Sequence, residues 1–201
     1  GAGYYTIGGA GHEGNAAVAA ALRPTDPAFL HYRSGAFFAQ RSKQVDGMTP
    51  AFDVLLSLCA SSDDPIAGGR HKVFGSKSLW IPPQTSTIAS HVPKAMGTAF
   101  AIDRAKRLNQ PIPLQDDSIV VCTFGDGSLN HASALAGLNA SSWAAYQNLP
   151  MPILFVCEDN GIGISVRTPP GWVEQVWRSY PSITYIKADG CDILETYRKA
   201  C

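Results

Sequence analysis

Two continuous apolar runs stand out in the centre of the sequence, with a helical segment between them. The runs are Ser118–Phe124 (SIVVCTF) and Pro152–Cys157 (PILFVC). Strands that are apolar on both faces are typical of a parallel sheet that is covered by helices on each side. The segment Ser128–Gln147 between them predicts one of those helices. The pattern therefore predicts an α/β fold built on a doubly wound parallel sheet.

The flanking segments predict further elements of the same kind. Periodicity and helix-ending residues predict helices at His12–Leu22, Gly35–Val45, Pro50–Cys59, Ala89–Leu108 and Asp192–Ala200. Short apolar stretches predict strands at Tyr4–Ile7, Phe29–Tyr32 and Ile183–Lys187. Pro93 is expected in the first turn of its helix, where its missing N–H costs nothing. The stretch Ser61–Gln84 is rich in Gly, Pro, Ser and charge, which predicts a long exposed loop.

Length and charge narrow the possible partners. The 201 residues, 45% of them hydrophobic, can form one substantial core, so we expect a single domain over residues 1–201. Sixteen basic residues balance sixteen acidic ones, and no apolar run approaches the roughly 18 residues of a membrane span. We therefore expect neither a nucleic-acid partner nor a membrane partner.

Cysteine usage and the two ends of the sequence add two expectations. The five cysteines form no CxxC pair, which favours reduced thiols in a cytosol-like compartment. The sequence opens with Gly1 rather than methionine, and an amphipathic helical pattern runs up to Cys201 without a stop signal. We therefore expect it to be an excerpt of a longer protein.

Polar residues follow both central strands at the point where each strand ends. Asp126 lies between Gly125 and Gly127, and Asn160 is also followed by glycine. Ligands of open parallel sheets bind at the carboxyl ends of the strands, and carboxylate and amide oxygens suit Mg²⁺, Ca²⁺ or Mn²⁺. The glycines would let phosphates approach the backbone, and the N-terminus of the Ser128 helix would direct N–H groups to them. Gly-Asp-Gly alone is also an ordinary turn, but the order strand–GDG–helix–strand–Asn-Gly is far more specific.

The segment that joins these strands resembles a known fingerprint. The thiamine diphosphate fingerprint opens with Gly-Asp-Gly and closes with an asparagine after the next strand, as does GDGSLNHASALAGLNASSWAAYQNLPMPILFVCEDN. Other stretches resemble the alpha subunits of branched-chain 2-oxo acid dehydrogenases, which belong to the decarboxylase component. These stretches are YYTIGGAGHEGNAAVAAAL, HYRSGAFFAQR, FGSKSLWIPPQTSTIASHVPKAMGTAFAIDRA and NGIGIS.

The resemblance implies a fold, an activity and partners. The fold would be the diphosphate-binding half of a thiamine diphosphate-binding fold, with thiamine diphosphate and Mg²⁺ as cofactors. The enzyme would decarboxylate a 2-oxo acid oxidatively and transfer the acyl group to lipoamide. Its partners would be a beta subunit or a fused beta-like domain, in a heterotetramer, and a lipoyl-bearing acyltransferase component. The expected location is a bacterial-type cytoplasm, with the mitochondrial matrix as the alternative, and the identity of the 2-oxo acid stays open.

The resemblance also implies the ligands of the metal and the diphosphate. The side chains of Asp126 and Asn160 and the backbone carbonyl of Ile162 would bind the metal. The residues that would line the diphosphate are Gly125, Gly127 and Ser128. The stretch between GDG and Asn160 is several residues longer than is usual in the family, which suggests a longer helix or turn near Ser141–Asn148.

Further residues carry roles that the resemblance implies. Arg41 falls on the arginine that grips the diphosphate, beside Gln40, where relatives carry tyrosine. The alternative for Arg41 is a solvated arginine on a helix face. Ser86 and Ile88 fall in the segment that meets the thiazolium and the aminopyrimidine. The catalytic loop histidine of the family aligns with a valine, and His71, two residues earlier, is the candidate replacement.

Two other functions remain as alternatives. Gly9–Gly14 matches GxGxxG, which would suit a nicotinamide dinucleotide-binding oxidoreductase, but the following stretch ends in Arg33 instead of an acid. The plain interpretation of that stretch is a glycine turn before an alanine-rich helix. The second alternative is a non-catalytic, flavodoxin-like binding module. Four other histidines lack zinc spacing, and we expect each to be structural: His12, His31, His91 and His131. The alternative for His131, in the first turns of the helix after GDG, is that it faces the site.

Overall fold

The computed structural model describes residues 7–70 and 73–201. Most of the predicted strand Tyr4–Ile7 and the catalytic candidate His71 therefore lie outside the described residues. The chain divides into two compact units, the first formed by residues 1–86 with 188–201 and the second by residues 87–187. The expectation of one domain over residues 1–201 stays a prediction. Within the described ranges, no helix is both long and apolar enough to cross a membrane.

Helices and short strands alternate along the chain. In order they are α1 (Asn15–Ala21), β1 (Ala28–Phe29), α2 (Gly35–Ser42), α3 (Pro50–Leu58), α4 (Val92–Arg107), β2 (Val120–Gly125), a 3₁₀ turn (Asp126–Ser128), α5 (Ala132–Tyr146), β3 (Ile153–Glu158), β4 (Ile162–Gly163), β5 (Val166–Arg167), α6 (Trp172–Arg178) and α7 (Ile193–Ala200). Seven of these elements had been predicted as helices or strands close to their observed bounds: α1, α2, α3, α4, β2, β3 and α7.

The first unit is built around α1, which packs against α2 and α7. Small and aromatic side chains fill this core because alanines in α1 leave room for the buried Phe37 and Phe38 of α2. Residues 61–70 and 73–84 form no helix or strand, as predicted, but they are not exposed throughout. Phe74 and Leu79 are buried, and Ser76 pairs with Ile81 in a short antiparallel bridge. The apolar residues of this loop anchor it to its own unit.

The second unit contains the parallel strands β2 and β3. They pair in register from Val120 opposite Ile153 to Gly125 opposite Glu158, so both strands end at the same edge. Helix α4 packs against both strands and against α5. The two helices approach closely at Gly137, where a Cβ atom would lie 2.8 Å from Val92 Cγ1. The predicted α/β class is confirmed, as is the place of Pro93 in the first turn of α4.

Helix α6 covers an aromatic cluster of the second unit. Trp177 is buried, with its ring centroid 6.1 Å from that of Phe124 on β2 and 5.9 Å from that of Phe155 on β3. Aromatic rings at such separations bury a large apolar area. Trp177 therefore belongs to the core of the second unit.

Three predicted elements differ in the structure. Helix α5 begins at Ala132 rather than at Ser128, because His131 adopts extended backbone angles and its Nδ1 accepts the Ser133 N–H at 3.2 Å. The strand predicted at Phe29–Tyr32 ends at Phe29, since the chain turns there and Ser34 N–H donates to the His31 carbonyl. The strand predicted at Ile183–Lys187 is wrong: the stretch pairs with no strand of its own unit. The hairpin of β4 and β5 was not predicted.

Candidate functional site

Asp126 stands at the carboxyl end of β2 in a tight turn. The turn Asp126–Ser128 is closed by the Leu129 N–H, which donates to the Asp126 carbonyl at 3.0 Å. Asp126 is only 2% exposed, and its Oδ2 atom has no hydrogen-bond partner among the residues that the structure describes. A buried carboxylate oxygen that meets neither a donor nor a cation is costly. The turn therefore presents an anionic oxygen that a bound cation would satisfy.

Asn160 stands at the adjacent strand end, in a loop with a defined shape. Because Gly125 pairs with Glu158, the residues after β3 emerge beside the Asp126 turn. Asn160 Oδ1 accepts the Ile162 N–H at 3.2 Å, and Gly161 turns the chain with a φ of 76°. Thr168 N–H donates to the Gly161 carbonyl at 3.0 Å and closes the hairpin that contains β4 and β5. The amide oxygen of Asn160 is exposed and retains a second lone pair for a ligand.

The hairpin and the Asp126 turn touch through two glycines. A Cβ atom on Gly127 would lie 2.7 Å from Gly163 Cα, and one on Gly163 would lie 2.8 Å from Gly127 Cα. Neither position can carry a side chain without moving backbone. This contact brings Asp126 and the segment with Asn160 and Ile162 together, as the three predicted metal ligands require. The GDG pattern predicted Gly127 as a site residue, whereas no pattern in the sequence predicted the role of Gly163.

A second contact between the same segments was also missed. The indole N–H of Trp172, the first residue of α6, donates to Asn130 Oδ1 at 2.9 Å. Asn130 lies two residues beyond Ser128, and Trp172 follows the hairpin. The bond spans 42 positions in sequence, and no local pattern signals it.

The side chains at the carboxyl ends of β2 and β3 offer oxygen atoms rather than a thiolate to a metal. Cys157 precedes Glu158 at the end of β3, and burial raises the pKa of its thiol strongly. The neighbouring carboxylates of Asp126, Asp159 and Glu158 raise this pKa further, while a hydrogen bond with Trp177 lowers it. The thiol therefore stays protonated at neutral pH and offers no soft thiolate. The oxygen atoms of Asp126 and Asn160 remain as candidate metal ligands, and such atoms suit Mg²⁺, Ca²⁺ or Mn²⁺.

Helix α5 begins later in the chain than the sequence pattern predicted. The N–H groups next to Asp126 belong to the 3₁₀ turn, and α5 begins only after His131. His131 caps that helix through Nδ1, so it has a structural role. The prediction that the helix begins at Ser128 is therefore wrong, and the approach of its terminus to phosphates stays a prediction.

His91 is a second structural histidine of this unit. Its Nε2 lies 2.7 Å from the Thr123 carbonyl, and both residues are buried. A carbonyl only accepts, so Nε2 carries the proton and donates. Burial lowers the pKa of His91, and Lys94 lowers it further, although the bond to Thr123 opposes the shift. The ring is therefore neutral at neutral pH, and the expectation of a structural role is confirmed.

Arg41, in the first unit, is fully buried. One terminal nitrogen, Nη1, donates to the carbonyls of Asp26 at 2.6 Å and Leu79 at 3.3 Å, and the guanidinium lies over the Phe37 ring. The other two nitrogens, Nε and Nη2, are buried and have no partner in the described part of the chain. Burial lowers the pKa of Arg41 to about 10, although the Asp26 carboxylate opposes this shift. Arg41 thus stays charged at neutral pH, and the alternative of a solvated arginine is wrong.

The other predicted site residues occupy less distinctive positions. Gln40 is half-buried beside Arg41 on α2, and Ser128 is buried in the Asp126 turn. Ser86 is half-buried at the end of the first unit, and Ile88 is half-buried near the start of the second. Their expected contacts with coenzyme rings stay predictions, as does the catalytic role of His71.

The Gly9–Gly14 turn uses its glycines for its own packing. A Cβ atom on Gly14 would lie 2.5 Å from the Gly190 carbonyl oxygen, and one on Gly9 would lie 3.0 Å from the Arg33 carbonyl oxygen. Arg33, which stands where the dinucleotide fingerprint requires an acid, donates to the Gly8 carbonyl at 2.7 Å. These contacts favour the plain glycine turn over a dinucleotide site.

Comparison with known proteins gives one consistent answer. The family model of the dehydrogenase E1 component matches residues 6–201. The mitochondrial 2-oxoisovalerate dehydrogenase subunit alpha of Mus musculus is 31% identical over 193 residues, which cover 93% of this chain and 39% of the mouse protein. The subunit alpha 2 of Arabidopsis thaliana is 30% identical over 91% of this chain and 35% of its own length. The subunit alpha of Bacillus subtilis is 36% identical over 60% of this chain and 32% of its own length. The chain thus spans well under half the length of these relatives.

Proposed function

Because the chain belongs to the dehydrogenase E1 component family, we propose that it supplies the metal- and diphosphate-binding half of a thiamine diphosphate site. One observation carries the proposal: the buried Asp126 Oδ2 has no partner, in a turn that touches the Asn160 hairpin. An isolated buried carboxylate is costly, and a divalent cation would offset that cost. The relatives that are named as 2-oxoisovalerate dehydrogenase alpha subunits support the same assignment.

The proposed metal is Mg²⁺. Its protein ligands would be the Asp126 carboxylate, the Asn160 amide oxygen and the Ile162 backbone carbonyl. Mg²⁺ prefers oxygen ligands and usually keeps substrate phosphates in its shell. Three protein oxygens on two touching segments leave room for such phosphate ligands.

The proposed diphosphate-binding groups come from the turn and from α2. The turn residues are Gly125, Gly127 and Ser128. The buried guanidinium of Arg41, with two unpartnered donors, suits phosphate oxygens better than a lysine would, and Gln40 lies beside it. Ser86 and Ile88 would meet the thiazolium and the aminopyrimidine of the coenzyme.

The proposed activity is oxidative decarboxylation of a 2-oxo acid, with transfer of the acyl group to lipoamide. Thiamine diphosphate supplies the carbanion chemistry when it is bound, and this chain binds and orients its diphosphate end. The names of the relatives favour a branched-chain 2-oxo acid. His71 is the proposed catalytic residue of the chain. The proposed location is cytoplasmic, with the mitochondrial matrix as the alternative.

The site as proposed needs a second polypeptide or domain. Formation of the reactive carbanion would need a carboxylic acid against the aminopyrimidine ring. Neither Glu13, which is exposed, nor Glu158, which ends β3, is proposed for that role. We propose that a beta subunit or a fused beta-like domain supplies this acid in a heterotetramer. A lipoyl-bearing acyltransferase component would accept the acyl group.

Removal of the Asp126 charge tests the proposal. Asp126→Asn, made in the full-length protein with its partner subunit, should weaken Mg²⁺-dependent binding of thiamine diphosphate by about 100-fold or more, since a charged metal ligand contributes several kcal/mol. Calorimetric titration with thiamine diphosphate at fixed Mg²⁺ gives the affinity. The unbound variant should melt at the same temperature as the wild type or higher, because the unmet buried charge is gone.

Asp159→Asn is the matched control. It removes one carboxylate charge from the same edge, but its side chain is exposed and keeps an oxygen to accept the Gly161 N–H. Its affinity should stay within about twofold of wild type, as for other exposed charges. Equal affinities of the Asp126 variant and the wild type would contradict the metal assignment. A wild-type protein with no affinity for the diphosphate would instead favour the flavodoxin-like alternative.

A further inference from the structure

The hairpin that carries Asn160 is exposed and strained. Ile164, at its tip, is 81% exposed and Val166 is 71% exposed, so little apolar packing holds the hairpin in place. Ile164 also has a φ of 58°, in the left-handed region that a β-branched residue rarely adopts. A strained backbone persists only where its surroundings hold it. The hairpin therefore depends on its few contacts with the rest of the second unit.

Two contacts connect this hairpin segment to the Asp126 turn. The first is the backbone approach of Gly127 and Gly163, which limits the distance between the segments but has no directional bond. The second is the hydrogen bond from the Trp172 indole N–H to Asn130 Oδ1, at 2.9 Å. A single point of contact lets one segment pivot freely on the other, whereas a second, directional contact removes much of this freedom.

We infer that Trp172 is a positioning residue for the metal site and acts through Asn130. Its bond holds the turn that carries Asp126 against the hairpin that carries Asn160 and Ile162. This inference rests on the proposed function, because it assigns the bond a role in the geometry of the proposed Mg²⁺ ligands. Trp172 is not one of the proposed metal ligands, since its indole N–H donates to Asn130.

Metal selectivity separates positioning from a general effect on stability. Mg²⁺ demands near-ideal octahedral geometry, whereas Ca²⁺ accepts flexible and irregular coordination. Loss of the indole bond should therefore weaken Mg²⁺ binding more than Ca²⁺ binding. A contact that only stabilises the fold would weaken both alike.

The test is Trp172→Phe, which keeps an aromatic ring and removes the N–H donor. Mg²⁺ or Ca²⁺ is titrated into the full-length protein with its partner subunit, at a fixed concentration of thiamine diphosphate. The variant should bind Mg²⁺ about three- to tenfold more weakly, as expected for one net hydrogen bond, and Ca²⁺ within about twofold of wild type. Asn130→Leu should have the same effect, and the double variant should be no worse than either single one.

Trp143→Phe is the matched control. Trp143 is a 66% exposed indole on α5 of the same unit, and its variant should bind both metals as the wild type does. The inference alone is overturned if the wild type binds thiamine diphosphate with Mg²⁺ and the Trp172 variant keeps its Mg²⁺ affinity. It is also overturned if that variant loses affinity equally for both metals. A wild-type protein that fails to bind would overturn the proposed function, and the inference with it.

Discussion

The chain contains two glycine-rich turns that each precede a helix, and they differ in what surrounds them. In the turn Gly9–Gly14, glycines approach carbonyl oxygens of the same unit, at Gly190 and at Arg33. In the turn that carries Asp126, Gly127 approaches another glycine, and the carboxylate beside it is buried with an unpartnered oxygen. The first turn is filled by its own chain, and the second leaves an anionic atom unsatisfied.

This difference shows why a glycine pattern alone is a weak signal of a binding site. Glycine permits close approach, but the approaching group can be a ligand or the backbone of the protein itself. An unsatisfied buried polar atom is more informative, because folded proteins pair nearly all such atoms. Asp126, rather than the glycines, therefore distinguishes the two regions.

The largest effect is expected when a methyl group is placed in each of the two turns. Gly127→Ala and Gly14→Ala both push a Cβ atom against backbone, at 2.7 Å from Gly163 Cα and 2.5 Å from the Gly190 oxygen. Each should lower the free energy of unfolding by about 1–3 kcal/mol, as overpacking does, which thermal melting would detect. Only Gly127→Ala should also weaken Mg²⁺-dependent coenzyme binding, by about 100-fold or about 3 kcal/mol, because it displaces the hairpin from Asp126.

Gly8→Ala is the control for this pair, since a Cβ atom there meets nothing within 4 Å. Its melting temperature and affinity should equal those of the wild type. If Gly14→Ala weakened coenzyme binding as much as Gly127→Ala did, the two turns would not differ in the way proposed.

A second test asks whether the first unit recognises phosphate through Arg41 rather than through its glycine turn. The pKa of about 10 leaves Arg41 charged at neutral pH, and a bound anion should raise this pKa and stabilise the folded protein. Inorganic pyrophosphate should therefore raise the melting temperature of the wild type. Arg41→Met should remove this effect and weaken coenzyme binding by about 10- to 100-fold, as expected for charge-assisted hydrogen bonds of about 1.5–3 kcal/mol.

Arg33→Met is the matched control, since Arg33 lies beside the glycine turn and donates to the Gly8 carbonyl. Pyrophosphate should raise its melting temperature as much as that of the wild type. The opposite result, with Arg33 required and Arg41 dispensable, would assign phosphate recognition to the glycine turn.

The smallest expected effect comes from two glycines with left-handed backbone angles. Gly161 has a φ of 76° and Gly11 a φ of 84°, and a Cβ atom on either meets nothing within 4 Å. Alanine at each position should therefore cost about 1 kcal/mol of stability through backbone strain alone. Calorimetric titration should show a few-fold loss of Mg²⁺ affinity for Gly161→Ala, because that glycine follows Asn160. Unchanged affinity in the Gly161 variant would mean that Asn160 does not hold the metal.

Much of the fold was predictable because its signals are local. The continuous apolar runs predicted β2 and β3, and helical periodicity with proline in the first turn predicted α4. The parallel order of these strands follows from the helix between them, so the placement of Asp126 and Asn160 at one edge was predictable too.

The predictions that were wrong concern elements that depend on residues distant in sequence or on a single helix cap. Helix α5 begins late because His131 satisfies its first turn, and Ile183–Lys187 has strand-like residues but pairs with no strand of its own unit. A strand requires a hydrogen-bonding partner, and the sequence of one segment does not reveal whether a partner exists. The β4–β5 hairpin went unpredicted because each of its strands contains only two residues.

Contiguous residues were sufficient to predict the α/β class, the strand ends that carry Asp126 and Asn160, and the family resemblance. Only the tertiary structure shows that, among the described residues, Asp126 Oδ2 and two nitrogens of Arg41 are buried without partners. It alone also joined Gly127 to Gly163 and Trp172 to Asn130. Burial and such contacts are properties of surroundings drawn from distant parts of the chain, and no local pattern of residues encodes them.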